Sequence, residues 1–417
     1  MKRLFALGSV LLTLATWLAF ALLARPLSNA IAHRWGPQIV RAGDGKFSDA
    51  AVFLQHRFYE GALLLTITLG LVVVAVLLAR LLARRVPALW KWVPYSLIGF
   101  VGINIWIAVA AGTCLFWCLF WNGKGTTNNL TQFHIKLLLM DENSAPTKVA
   151  LVGSSQIRAE IDPRLLNRQL GSNIFTTELH FPGNRSFDHL LLDRKLRGHK
   201  ADVLICYLSE SIFFNGAVSE GSPSFFGFQD LPAFLRLGGK PRWAPKTLGL
   251  GLLGSALPIF WLRDAAAQRL LGDKVAGLGQ SEQVASLASN LEKRASASAA
   301  AFRADDQSDF SFAAFDAFVA RCRSERKTVI LCCGQLNPIL ARKLDPAMRP
   351  RMLAFLAQLA ANYDNVVLLQ KKDLPAQTEA DYEDLTHVNP AAQSRFSEAI
   401  ARLLQKLGQT QHHMQLR

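Results

Sequence analysis

The sequence lacks the signatures of two large functional classes. Its six cysteines show no metal-ligand spacing. Its basic residues are scattered and form no stripe interleaved with aromatic residues, although the net charge is +15. We therefore expect no metal, no cofactor and no nucleic-acid partner. Two interpretations of the charge remain: a membrane protein that faces anionic lipid, or a protein with affinity for an acidic polymer.

Charged residues are absent from three long stretches in the N-terminal third. Uncharged runs extend over 4–24, 61–79 and 92–123, and roughly 20 apolar residues are enough to cross a bilayer. We therefore predict a transmembrane region over 1–124 with helices at about 4–24, 61–79 and 94–121. A cleaved signal peptide is the alternative for the first run, although that run is longer than the usual apolar core of a signal peptide.

Loop charges predict how these helices are oriented. Lys2 and Arg3 precede the first run. The short loop after the second run carries basic residues and no acidic ones: Arg80, Arg84, Arg85 and Lys91. Both segments are therefore expected in the cytoplasm. Three crossings place everything after Asn122 outside it, so we predict a multi-pass protein of the cytoplasmic (inner) membrane with its main domain in the periplasm or outside the cell.

Beyond the membrane region, a polar connector over 125–147 contains a short predicted helix at about 132–140. A domain over 148–408 follows, in which apolar strand-like segments alternate with helical ones. Strands are predicted at 149–152, 174–179, 203–208, 329–333 and 366–369. A closing helix is predicted from Pro390 to about Leu407, before a polar tail over 409–417. The alternation implies a flavodoxin-like α/β fold, with a five-stranded parallel sheet covered on both faces by helices.

A long insertion over 213–309 interrupts this alternation. Its first part is rich in Phe, Gly and Pro, and its apolar run at 248–262 is shorter than a membrane span requires. The insertion could be a lid, an interfacial helix or an element that docks a partner. An ordinary surface excursion is the simpler alternative.

Two short motifs supply the residues that acyl transfer needs. Ser155 follows the first predicted strand in the turn Gly153-Ser154-Ser155, and Asp384 and His387 lie three residues apart before the closing helix. A serine hydroxyl becomes an effective nucleophile when a base removes its proton, and His387 can be that base, oriented by Asp384. Because open α/β sheets bind ligands beyond the carboxyl ends of their strands, we expect all three side chains at that edge.

Acyl transfer through a serine also needs hydrogen-bond donors for the negatively charged oxygen of the tetrahedral intermediate. The backbone N–H of Ser155 is one candidate, and the turn at Gly183 and Asn184 after the second strand is another. A third donor is expected after the third strand, where the candidates are Ser209, Ser211 and Asn215. None of these three stands out.

The motifs Gly-x-Ser, Pro182-Gly183-Asn184 and Asp384-x-x-His387-x-Asn389, in this order, resemble the SGNH (GDSL-like) hydrolase superfamily over about 148–407. The resemblance implies that Ser155 is the nucleophile, that Asp384 and His387 complete a catalytic triad, and that Gly183 belongs to the oxyanion hole. The Gly-x-Asn of the family is missing after strand three, where the chain reads Leu208-Ser209-Glu210-Ser211.

The Gly-Ser-Ser turn and the membrane anchor together more closely resemble the DltD-like and alginate O-acetylation-like members. That resemblance implies a membrane-tethered protein that works with a membrane-bound O-acyltransferase (MBOAT) to acylate a polysaccharide outside the cytoplasm. Three functions are open: a serine O-acyltransferase, most simply for acetyl groups; a membrane-anchored carbohydrate esterase, with water in place of the sugar hydroxyl; and a non-catalytic assembly subunit of a polysaccharide acylation or export complex.

Overall fold

The computed structural model describes residues 58–87, 92–110, 129–180, 183–219, 222–258, 260, 291–369 and 371–415. The predicted transmembrane run at about 4–24 and residues 111–121 of the third run lie outside these ranges. The chain divides into two compact units, Met1–Ile135 with Ala256–Ala276 and Lys136–Ser255 with Gly277–Arg417. The first unit contains the predicted membrane region, and the second contains the predicted catalytic residues.

Two apolar helices pack against each other in the described part of the first unit: α1, Phe58–Ala83, and α2, Trp92–Ala110. The indole N–H of Trp106 donates to the hydroxyl of Thr68 across their interface, at 2.5 Å. Among the described residues, α2 is the one helix long and apolar enough to cross a membrane, and Ile67–Ala83 within α1 is a shorter apolar segment. The described residues thus contain one candidate for the three predicted transmembrane helices, and a shorter apolar segment overlaps the second.

The second unit is built on a sheet of five strands: β1 Thr147–Gly153, β2 Ile174–His180, β3 Val203–Leu208, β4 Thr328–Cys333 and β5 Val366–Leu369. The strands pair in parallel in the order β2-β1-β3-β4-β5. This confirms the predicted five-stranded parallel sheet, and the order is that of flavodoxin-like folds. Helices cover both faces of such a sheet, which is why β3 is buried along its whole length.

The remaining α-helices, which lie wholly or partly in this unit, follow in chain order as α3 Asn129–Glu142, α4 Ser155–Glu160, α5 Pro163–Leu170, α6 Ser186–Leu196, α7 Glu210–Phe214, α8 Leu231–Arg236, α9 Pro245–Ala256, α10 Leu291–Ala299, α11 Asp306–Ser324, α12 Pro338–Ala341, α13 Met348–Asn362 and α14 Pro390–Gln415. Helices α4, α5 and α14 pack together over one face of the sheet, around a core that includes Ile157, Tyr207 and Phe396. Helices α6, α11 and α13 form the opposite layer.

Local signals in the sequence determine where α5 begins and ends. The carboxylate of Asp162 caps the helix by accepting the N–H of Arg164 at 2.9 Å, and Pro163 occupies the first turn. Gly171 ends the helix with a φ of 66°, a left-handed conformation that favours glycine. An acidic residue before a proline predicts a helix start at Asp162-Pro163, and a glycine predicts its stop at Gly171, and the structure confirms both.

Two helices extend past their predicted boundaries. Helix α3 covers Asn129–Glu142 where 132–140 was expected, and α14 reaches Gln415. Glutamine and histidine are tolerated inside a helix, and neither extension contains proline. The predicted polar tail at 409–417 therefore continues the last helix as far as Gln415.

Part of the insertion packs into the core of the domain. Phe234 of α8 is fully buried, and its ring centroid lies 5.4 Å from that of Phe187 in α6 and 5.1 Å from that of Phe310 in α11. Phe226 is buried as well, and Gly251 of α9 lies so close that a Cβ atom there would come within 2.9 Å of its side chain. Large buried rings of this kind dominate core energetics. Around Phe226 and Phe234 the insertion is therefore part of the core and not a surface excursion.

Removing the Phe234 ring should destabilise the domain strongly. Because the ring is fully buried among other rings, Phe234→Ala should lower the free energy of unfolding by about 3–5 kcal/mol. Urea unfolding of the full chain in detergent, followed by near-ultraviolet circular dichroism, measures this change. Phe228→Ala is the control, since Phe228 lies in the same segment and is 54% exposed. The control should stay within about 0.5 kcal/mol of wild type. Equal losses in both variants would contradict a core role for Phe234.

Candidate active site

Ser155 is the first residue of α4 and lies where β1 ends. Strand β1 stops at Gly153, and Ser154 caps the helix by accepting the N–H of Gln156 on its hydroxyl at 3.2 Å. Strand β2 pairs with β1 on one side and β3 on the other. Ser155 therefore lies at the carboxyl edge of the sheet, between the loops that follow β2 and β3.

Asp384 and His387 lie in a tight turn that the carboxylate of Asp384 organises. One oxygen, Oδ1, accepts the backbone N–H groups of Thr386 and His387, both at 2.7 Å. The other oxygen, Oδ2, lies 2.8 Å from Nδ1 of the His387 imidazole. These three contacts explain the spacing of three residues, because the turn folds the ring of His387 back onto Oδ2, the oxygen that accepts no backbone N–H.

The turn brings His387 to Ser155, although 232 residues separate them in the chain. His387 Nε2 lies 2.8 Å from Ser155 Oγ. Together with the Asp384 contact on the other ring nitrogen, the three side chains form one hydrogen-bonded chain. The side chains of His387 and Asp384 remain 33% and 31% exposed, so solutes can reach them. The structure thus brings the three predicted residues together in the geometry that a nucleophile, a base and an orienter require.

Asp384 is held in its charged form. Partial burial acts to raise its pKa, but the hydrogen bonds from the His387 ring and from the Thr386 backbone lower the pKa to about 2. An ionised Asp384 accepts a hydrogen bond from the N–H at Nδ1 of His387. Nε2 is then the nitrogen free to take a proton from Ser155.

Two asparagines hold the turn in place. Asn337, which lies between β4 and α12, donates its side-chain N–H to the backbone carbonyl of Asp384 at 2.9 Å. The backbone N–H of Asn389 donates to the carbonyl of Asp381 at 2.8 Å, which closes the segment before α14. The predicted motif included Asn389 and missed Asn337. The available signal was the Asn337-Pro338 pair in the loop after β4, a typical helix start.

The buried carboxyl of Glu160 joins the helix of Ser155 to the segment that carries His387. Glu160 is the last residue of α4 and has no exposed surface. Its oxygens accept the hydroxyl of Tyr207 in β3 at 2.7 Å and the amide of Gln377 at 2.6 Å. Burial raises the pKa of Glu160 to about 7, although these hydrogen bonds act to lower it. No sequence pattern singled out Glu160.

The candidate oxyanion residues lie around the end of β1. The N–H of Ser155 belongs to the first turn of α4, where N–H groups have no partner inside the helix. Gly183 has a φ of 70°, a conformation that favours glycine. Asn184 is fully buried, and its side-chain amide donates to the carbonyl of Gly153 at 3.0 Å. The side chain of Asn184 thus ties the loop after β2 to the end of β1.

Two of the three predicted third donors, the hydroxyls of Ser209 and Ser211 after β3, are engaged with other residues. The hydroxyl of Ser209 donates to Gln156 Oε1 at 2.7 Å and lies 2.8 Å from the hydroxyl of Ser211. The hydroxyl of Ser211 also points to Gln156 Oε1, at 3.2 Å. The carbonyl of Asn215 accepts the guanidinium of Arg185. The structure therefore directs both serine hydroxyls to the side chain of the residue after Ser155.

A cavity of about 720 Å³ opens at the carboxyl ends of β4 and β5. Its mostly apolar wall includes Leu336 and Leu369, and it also contains Glu210 and Arg349, whose charged groups pair at 3.1 Å. Leu336 is the chain neighbour of Asn337, so the cavity adjoins the anchored turn. The cavity is a candidate to hold the part of a substrate that lies away from the reacting bond.

Comparison with known proteins adds no family assignment. No protein-family model matches the sequence, and no curated protein matches it. Within the described ranges, no group of three or more His, Cys, Asp or Glu side chains could hold a metal ion.

Glu160 makes the stability of the domain depend on pH between about 4.5 and 7. Its pKa lies near 7 in the folded protein, above the ordinary value of 4.5. In this range the folded protein binds a proton that the unfolded chain has lost, so the free energy of unfolding falls as the pH rises. Glu160→Gln should reduce this slope, which is measured as the thermal midpoint of the full chain at a series of pH values.

A carboxyl in the segment that carries His387 provides the control. Glu379 pairs with Arg342 and its side chain is 47% exposed. Glu379→Gln should leave the pH slope as it is in wild type. The prediction fails if Glu160→Gln and wild type lose stability equally as the pH rises.

Proposed function

We propose that this protein is a membrane-anchored serine O-acyltransferase of the SGNH type. It transfers an acyl group, most simply acetyl, to a polysaccharide outside the cytoplasm. The observation that carries the proposal is the hydrogen-bonded chain Asp384–His387–Ser155 at the carboxyl edge of a parallel sheet. The Gly-Ser-Ser turn and the left-handed Gly183 after β2 support the SGNH-type assignment.

The first half-reaction loads the acyl group onto the enzyme. Ser155 Oγ attacks the carbonyl carbon of the acyl donor while His387 Nε2 takes the hydroxyl proton. The carbonyl oxygen becomes an oxyanion, stabilised by the N–H groups of Ser155 and Gly183. When the tetrahedral intermediate collapses, the bond to the leaving group breaks and the imidazolium gives its proton to that group. Ser155 then carries the acyl group as an ester.

The second half-reaction passes the acyl group to the acceptor. A sugar hydroxyl attacks the ester carbonyl, and His387 takes its proton. The bond to Ser155 Oγ breaks as the imidazolium returns a proton to that oxygen. Asp384 stabilises the imidazolium in both halves, and its pKa near 2 keeps it ionised throughout the neutral range.

We propose that the acyl group reaches Ser155 through an MBOAT-like partner in the same membrane. An acyl donor made in the cytoplasm must deliver its acyl group across the bilayer before a site on the other side can use it. The candidate span α2 and the uncharged runs at 4–24 and 61–79 support a multi-pass protein of the cytoplasmic membrane, with the second unit in the periplasm or outside the cell. The net charge of +15 supports contact with anionic lipid.

A membrane-anchored carbohydrate esterase is the second candidate, because the same residues serve it with water as the acceptor. The exposure of His387, 33%, favours this candidate, since water can reach an acyl group on Ser155. Turnover of a small activated ester with and without an oligosaccharide separates the two. A transferase forms acylated oligosaccharide at the expense of free acid, whereas an esterase releases the same free acid in both cases.

Ser155 should react with a fluorophosphonate, a reagent that labels activated serines. The full chain in detergent should take up one label on Ser155, found by peptide mass mapping, and Ser155→Ala should take up none. Ser154→Ala is the matched control, since Ser154 is the neighbouring serine and only caps α4. It should lose about 1 kcal/mol of stability and keep the label.

Absence of label on a folded wild-type chain would overturn the proposal. The non-catalytic assembly subunit of a polysaccharide acylation or export complex would then be the better account. The same outcome would also rule out the esterase as a candidate function, because both enzymes need a reactive Ser155.

Asp384→Asn should slow turnover of a small activated ester by about 10⁴-fold, because an amide can hold the imidazole in the wrong tautomer. Its KM should change little. Asp381→Asn is the control, since Asp381 lies in the same segment and pairs with Arg395. The control should stay within about tenfold of wild type. Similar rates for the two variants would show that Asp384 does not orient the base.

A further inference from the structure

The side chain of Gln156 reaches from α4 to the carboxyl end of β3. Gln156 directly follows Ser155, and it is 3% exposed. Its Oε1 accepts the hydroxyl of Ser209 at 2.7 Å and that of Ser211 at 3.2 Å. Strands β1 and β3 are direct neighbours, with Val152 opposite Cys206. The carboxamide therefore lies between the carboxyl ends of two central strands, on the residue next to the nucleophile.

The other end of this amide, Nε2, is buried and has no hydrogen-bond partner among the described residues. An amide nitrogen carries two N–H donors, and a buried donor without a partner costs about 1–3 kcal/mol. Native proteins rarely leave such groups unpaired unless a ligand or a function uses them. Oε1 is the end of the amide that faces the two serine hydroxyls, and Nε2 faces away from them.

This amide lies where the sequence motifs leave the third oxyanion donor unassigned, at the carboxyl end of β3. A third oxyanion donor was expected after β3, and the hydroxyls of Ser209 and Ser211 there are directed to Gln156 Oε1 and to each other. The end of β3 nevertheless has an amide donor beside it. That donor comes from α4, the helix that also supplies Ser155, and not from the chain that follows β3.

We propose that Gln156 Nε2 is the third hydrogen-bond donor to the oxyanion, positioned by Ser209 and Ser211. The inference rests on the proposed acyl chemistry at Ser155. As Ser155 Oγ bonds to the carbonyl carbon, the π electrons of the C=O bond move to its oxygen. An N–H of Gln156 then donates to this oxygen, next to the N–H groups of Ser155 and Gly183. When the intermediate collapses, the electrons return and the hydrogen bond weakens. Gln156 exchanges no proton.

Two substitutions separate this role from a merely structural one. Gln156→Met has about the same length and no donor. Gln156→Glu keeps an oxygen that can accept from Ser209 and Ser211, and it replaces the donor nitrogen by a second oxygen. Loss of one oxyanion donor costs about 100- to 1000-fold in kcat. We expect both variants to lose that much kcat on a small activated ester, with KM little changed, and Gln156→Glu to fall at least as far as Gln156→Met.

A buried amide elsewhere in the domain is the matched control. Asn167 is 4% exposed, and both ends of its side chain are paired with Thr176, at 2.9 Å for Nδ2 and 2.7 Å for Oδ1. Asn167→Leu should lower the thermal midpoint of the full chain and leave kcat within a few-fold of wild type. This separates loss of a donor from general damage to the fold.

The outcomes distinguish this inference from the proposed function. If wild type reacts with neither a fluorophosphonate nor an activated ester, the proposed function fails, and the inference fails with it. If wild type reacts and Gln156→Met keeps the wild-type kcat, the inference alone is overturned. It is also overturned if Gln156→Met is slow while Gln156→Glu is as fast as wild type, because the side chain would then serve only to hold Ser209 and Ser211.

Discussion

The site depends on one constraint of the fold: all five strands run in the same direction, so their carboxyl ends meet at one edge. Strand β1 has a neighbour on each side, and Val152 near its end lies opposite Leu179 of β2 and Cys206 of β3. The residue that follows β1 is therefore within reach of two loops at once. Reversing either neighbour would carry Gly183 or Ser209 to the far edge of the sheet and separate it from Ser155.

A second, buried chain of hydrogen bonds lies beside the exposed one. Ser155 and Glu160 are the two ends of a helix of six residues. The first contacts His387, and the second contacts Gln377, which in turn accepts the hydroxyl of Tyr382 at 2.7 Å. The short helix is thus attached at both ends to the segment before α14. Holding side chains in this way reduces the motion that would otherwise separate Ser155 from His387.

The sequence allowed the five strands, the helix start at Asp162 and the candidates Ser155, Asp384 and His387 to be predicted, because each has a local signal: an apolar run, a capping residue or a short motif. The partners of Gln156 and Glu160 had no such signal. They lie between 47 and 217 residues away, and their contacts depend on how α4 is rotated against β3. The third donor was expected in the chain that follows β3, whereas the amide that lies there, that of Gln156, belongs to α4.

The insertion has a consequence for how such a domain could change over generations. Phe226 and Phe234 belong to a segment that looks additional in the order of strands, yet their rings complete a core shared with Phe187 and Phe310. An element added to a finished domain can be lost by a single deletion. Deleting this one would leave α6 and α11 with aromatic rings facing water. The segment can therefore be exchanged or lost only together with compensating substitutions in both helices, so it behaves in recombination as part of the domain itself.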